Sequence, residues 1–94
     1  MRFLILLCLA APAALPAAAS TDEAWESFRA EVRDGCLAAA APLGTAVVEV
    51  NPWGSESHGA ALVTLQTEAG EVERRVCIFD KRSKAVELTE PFGD

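Results

Sequence analysis

The chain has 94 residues, with 14 Asp and Glu against 8 Lys and Arg, a single His, and a formal net charge of −6. That length holds one domain. An acidic chain without a large basic cluster lacks the cations that nucleic-acid phosphates or an anionic membrane surface would demand, and one His with scattered carboxylates leaves little for catalysis.

The chain opens Met1-Arg2, and an unbroken apolar run follows from Phe3 to Ala11. Pro12 and Pro16 interrupt it, and Ala17-Ala18-Ala19 precedes Ser20. A short basic start, an apolar stretch and an Ala-x-Ala site form the pattern of a secretory signal peptide. The run is about half of the ~20 apolar residues that a membrane span needs. Cleavage is expected after Ala19, leaving residues 20–94 as one small domain. Removal of Arg2 makes that mature domain one unit more negative. Cys8 follows Leu7 and lies inside the apolar run, whereas a lipoprotein cysteine follows a small residue at its end. The expected address is periplasmic or extracellular, with no membrane insertion of the mature chain.

Cys36 and Cys77 remain after cleavage. Paired thiols in an oxidising compartment become disulfides, and two cysteines allow one intramolecular connectivity. A loop of this length constrains the unfolded state by about 4 kcal/mol. A domain this small buries only about 60% of its unfolded surface, so such a staple matters. There is no Cys-x-x-Cys spacing, and His58 alone cannot complete a zinc site. No metal and no cofactor are expected.

Ser20-Thr21-Asp22-Glu23 has the form of a helix capping box. Trp25, Phe28, Val32 and Cys36 then recur at helical spacing and mark one face of an α-helix. The Ala38–Ala41 run continues it, and Pro42 and Gly44 end it. Strands are expected over Thr45–Val50, Ala60–Thr67 and Val72–Asp80, with a weaker one over Ala85–Thr89. The fold class is therefore α+β: one N-terminal helix packed on a three- to four-stranded antiparallel meander, with one disulfide.

A three-residue Glu68-Ala69-Gly70 loop would set Ala61 opposite Cys77, Val63 opposite Arg75 and Leu65 opposite Glu73. A two-residue turn would shift this by one position and exchange the faces. The first register is preferred, because it lets Cys77 reach Cys36 from the face that carries Val63 and Leu65. In either register large apolar residues occupy both faces, and one helix covers only one.

Asn51-Pro52-Trp53-Gly54-Ser55-Glu56-Ser57-His58-Gly59 and the stretch from Arg75 to Leu88 resemble small uncharacterised exported proteins of proteobacteria. That resemblance implies a periplasmic protein and carries no functional residues. The helix before a meander, closing on Phe79-Asp80 and Val86, is also loosely similar to PepSY-type domains. That likeness implies a secreted binding or inhibitory module. Arg82-Ser83-Lys84 stands where such turns often carry Thr-Gly.

The segment Asn51–Gly59 is long for a hairpin connection, and long loops often carry function. The leading expectation is that Trp53 folds back onto the core edge and the polar residues are solvated; as a binding loop, its candidate residues are Trp53, Glu56 and His58, with Trp53 as anchor. A catalytic reading would use Ser55 or Ser57 with His58 and Glu56, but residues this close in sequence rarely reach triad geometry. A metal reading with Glu56 and His58 has too few ligands. Arg74-Arg75 and Lys81-Arg82-Ser83-Lys84 read as solvated strand and turn residues, the alternative being a small site for an acidic partner.

Leu62, Val76 and Ile78 form the candidate partner face. It is expected to be covered, either by another chain or internally. Internal cover would come from the curling sheet, with Val48 and Val86, or from the Asn51–Gly59 loop. The functional expectation is a non-catalytic binding or inhibitory module whose partner is another protein. The alternative is a structural envelope protein that homodimerises through this second face.

Overall fold

The computed structural model of the chain describes residues 21–93. The expected leader, with Cys8, and the capping residue Ser20 lie outside them. Helix α1 spans Asp22–Ala40, and a short 3-10 turn over Ala41–Leu43 carries Pro42 near its start. Four strands follow: β1 (Gly44–Val50), β2 (His58–Thr67), β3 (Val72–Asp80) and β4 (Val86–Leu88). They form one antiparallel sheet in the order β1-β2-β3-β4. This is the α+β architecture that the sequence predicts.

The helix starts on Thr21 rather than Ser20. Its hydroxyl accepts from the Ala24 backbone N–H at 3.0 Å. Two adjacent residues with capping side chains make this boundary ambiguous in sequence, and the second is the one used. Asp22 and Glu23 complement the positive end of the helix dipole.

The β2–β3 register is the preferred one: Ala61 faces Cys77, Val63 faces Arg75 and Leu65 faces Glu73. The Thr67 N–H donates to the Glu71 carbonyl at 2.8 Å, closing a three-residue loop over residues 68–70. Gly70 lies at φ 88°, a conformation that a side chain resists. The turn between β3 and β4 is built on Asp80. Its Oδ1 accepts from the backbone N–H groups of Arg82 (2.8 Å) and Ser83 (2.9 Å). β4 is shorter than expected, but its pairing runs on: Thr89 donates to Val76, and Phe92 to Arg74.

Alternation along the strands sends one set of side chains to the helix. Val32, Cys36 and Ala40 of α1 are fully buried against Ala61, Val63, Leu65, Cys77 and Phe79. Phe28, Ala46, Val48, Val50, Val86 and Leu88 close around this core. Each large side chain so buried contributes about 1.5–3 kcal/mol. The Cys36–Cys77 disulfide ties α1 to β3 through the middle of the core, with Cα atoms 6.0 Å apart. At Gly59 strand and helix approach closely. A Cβ there would sit 2.8 Å from Val32 Cγ2 and 2.9 Å from Phe28.

Candidate functional site

Two regions could meet a ligand: the connection between β1 and β2, and the sheet face away from the helix.

The connection is an ordered structure. Asn51 Oδ1 accepts from the backbone N–H groups of Trp53 (3.1 Å) and Gly54 (2.8 Å), an Asx turn. Ser55 N–H donates to the His58 carbonyl at 2.7 Å, and His58 N–H donates to Ser55 Oγ at 3.0 Å. Long side chains pin the loop to the rest of the fold. Arg29 donates to the Pro52 carbonyl at 3.0 Å. Lys81 Nζ donates to the carbonyls of Trp53 (3.2 Å) and Ser55 (2.6 Å). The same ammonium lies 4.9 Å from the Phe28 ring centre. Trp53 stacks edge-on against Trp25, with centroids 5.3 Å apart, and Arg29 sits 5.2 Å from its ring. It stays 58% exposed. Trp53 thus lies against the helix start, and Glu56 is exposed.

His58 has neighbours that the sequence reading did not assign. Ser57 Oγ is 2.8 Å from its Nδ1, and Asp80 Oδ2 is 3.7 Å from its Nε2. The carboxylate beside the ring is Asp80, not Glu56. The expected register already implied this, because it pairs His58 with Asp80 across β2 and β3. The Asp80 contact is longer than a hydrogen bond, and both side chains are more than 40% exposed, so water competes for each group. Asp80 has closer partners. The backbone N–H groups of Ser83 and Arg82, with a further pull from His58, hold its carboxyl below the ordinary carboxylate value. Its primary task is the turn. No group of three or more His, Cys, Asp and Glu side chains gathers among the described residues in a way that could hold a metal ion.

The basic residues divide. Arg75 is half-buried and pairs with Glu73 at 3.0 Å and the Thr89 carbonyl at 3.1 Å. Lys84 pairs with Glu31 across to the helix at 2.9 Å. Arg74 faces the opposite way from Arg75, onto the open sheet face.

That face is where structure departs from expectation. Internal cover is overturned. Val48 and Val86 pack on the helix side, and the loop folds onto the helix rather than under the sheet. Leu62 is 50% exposed, Val47 70% and Phe92 60%, while Val76 and Ile78 are half-buried beside them. The pairing places Val47, Thr64 and Arg74 in one row, and Glu49, Leu62 and Val76 in the next. A cleft of about 280 Å³ runs between Val47, Leu62, Arg74, Val76 and Phe92. The face is an apolar strip with an acid on one flank and a guanidinium on the other.

The comparisons with known proteins yielded no match: no protein-family model, no curated protein and no solved structure matches the chain.

Proposed function

We propose that this chain is the precursor of a small exported domain that binds a protein partner through the open face of its sheet and performs no catalysis. The observation that carries this reading is the contiguous exposure of Val47, Leu62 and Phe92 on one face. Soluble proteins seldom leave such patches in water without a use for them. Leu62 lies at the centre of the strip, with Glu49 and Arg74 at its flanks, so an apolar contact would be rimmed by salt-sensitive pairs. Export is supported by the leader pattern of residues 1–19 and agrees with a Cys36–Cys77 bridge, since oxidising compartments preserve such bonds. Among the described residues no helix is long and apolar enough to cross a membrane. The loop is the weaker candidate for recognition, because Trp53 already spends its inner face on Trp25.

The test is capture from a periplasmic extract, with the exported protein, its Leu62→Asp variant and its Trp53→Ala variant immobilised in parallel. A protein held by the wild type and by Trp53→Ala but lost with Leu62→Asp supports the reading. Retention that follows Trp53 instead, or no retention that depends on Leu62, overturns it. Intact mass of the exported product should correspond to a chain that begins at Ser20.

A further inference from the structure

We propose that the free edge of β1 pairs with the same edge of a second copy, joining two sheets into one. The inference is independent of what the open face binds. β1 is an outer strand of the sheet. Asn51 N–H donates to the Ala60 carbonyl, so Asn51 and Ala60 form a hydrogen-bonded pair. Such pairs alternate along an antiparallel ladder. Thr45, Val47 and Glu49 therefore direct their backbone groups inward, to Gln66, Thr64 and Leu62. Ala46, Val48 and Val50 direct theirs outward, away from the sheet. Among the described residues nothing bonds to these outward groups.

Exposed edges are normally guarded by Lys, Pro, a bulge or a very short strand. The opposite edge is guarded: β4 has 3 residues and Pro91 follows it. β1 has 7 residues, Gly-Thr-Ala-Val-Val-Glu-Val, with none of these devices inside it; Pro42 and Pro52 stand two residues beyond its ends. Its one charge, Glu49, points to the open face rather than along the edge.

The edge is self-complementary. An antiparallel pairing centred on Val48 would set Val48 against Val48 of the second copy, and Ala46 against Val50 in both directions. Every outward N–H and C=O of these residues then finds a partner, for about six inter-chain hydrogen bonds. The arrangement is a closed two-fold, which cannot propagate into a fibre. Glu49 falls opposite Val47 and not opposite itself, whereas a pairing centred on Glu49 would set like charges face to face. Ala46, Val48 and Val50 are only half-buried under α1, so the second copy would also cover apolar surface that the helix leaves. Two four-stranded sheets become one of eight strands, with both open faces on the same side.

The experiment combines hydrogen exchange with light scattering on the full chain's exported product, over a wide concentration range. The expected result is a mass that doubles as concentration rises. Over the same range the amides of Ala46, Val48 and Val50 should slow, while those of Val47 and Glu49 are slow throughout. Val48→Pro removes an outward donor, a place where an edge strand tolerates Pro, and should give a folded monomer. If that variant fails to fold, the wild-type exchange pattern decides alone. A monomer with fast exchange at Ala46, Val48 and Val50 at every concentration overturns the proposal. So does a dimer that survives Val48→Pro and is broken by Leu62→Asp, because its interface is then the open face.

Discussion

Trp25 and Trp53 meet edge to face, with ring centroids 5.3 Å apart and an interplanar angle of 78°. One comes from the first turn of the helix, the other from the connection between the first two strands. Trp25 also meets Phe28, which meets Phe79, so an aromatic line runs from the loop into the core. This contact decides which side of the sheet the loop serves. It closes the helix side and leaves Leu62 and Val47 on the other side uncovered.

Trp53→Ala should therefore loosen the loop without unfolding the domain. An edge-to-face aromatic pair is worth about 1 kcal/mol beyond the area it buries. Fluorescence of the remaining Trp25 should shift to the red as its ring meets water. Lys81→Ala should shift the combined emission of Trp25 and Trp53 in the same direction, because the ammonium ties the Trp53 and Ser55 carbonyls to the aromatic line. Unchanged emission in both variants would mean that the loop is held by its internal hydrogen bonds and by Arg29.

Cys77→Ala should destabilise the domain by about 2–5 kcal/mol. Each kcal/mol lowers the melting temperature of a domain this size by about 4–8 °C. Thiol counting on the denatured exported protein should find none free before reduction. Two free thiols there would contradict the bridge.

The sheet was legible in the sequence because independent signals agreed. Gly70 suited a three-residue loop, though a two-residue turn also fitted it, and alternation put Val63 and Leu65 on one face in either register. The need for Cys77 to reach Cys36 from that face decided between the two. The helix start was less legible, since Ser20 and Thr21 can both cap. That Trp53 folds back onto the fold was legible, but the side of the sheet on which the Asn51–Gly59 loop lies was not. It depends on how the helix start lies against the end of β1, a relation between residues 28 positions apart at Trp25 and Trp53. The Asp80 neighbour of His58 was legible in principle, but only by following the ladder to its end. Within the loop itself Glu56 is the carboxylate nearest to His58 in sequence, and the ladder brings Asp80 to the ring instead.

Acid should loosen the β3–β4 turn only at a pH below the ordinary carboxylate value. Hydrogen bonds from Ser83 and Arg82, aided by His58, hold the Asp80 carboxyl below its ordinary value in the folded chain. The unfolded chain therefore takes up this proton at a higher pH than the folded one. The turn's contribution is complete above the ordinary carboxylate value and is lost as pH falls through the lower, folded value. The amide resonances of Arg82 and Ser83 should titrate together, with a midpoint below that of Asp80 in a peptide spanning Phe79–Ala85. Asp80→Asn should abolish the transition. A midpoint at or above the peptide's would show that these hydrogen bonds do not form in solution.

Leu62 and Val63 are adjacent in the chain and lie on opposite faces of β2, so the same substitution should have opposite consequences. Val63 is 1% exposed, enclosed among Val32, Leu65 and Cys77. An aspartate there would replace core packing with a buried carboxylate whose cross-strand neighbour, Arg75, is already engaged by Glu73 and the Thr89 carbonyl, a change that costs more than about 4 kcal/mol and should leave the domain unfolded. Leu62→Asp puts its charge in water and gives up only strand propensity and part of a side chain's burial, about 1 kcal/mol. It should remain folded, with the disulfide formed and circular dichroism like that of the wild type. The pair separates two meanings of the apolar strip. If Leu62→Asp unfolds a protein that is monomeric by light scattering, the strip is part of the core and cannot be a surface kept for a partner. If it stays folded while Val63→Asp does not, the sheet has one structural face and one free face, and losses of binding in Leu62→Asp can be read as losses of contact.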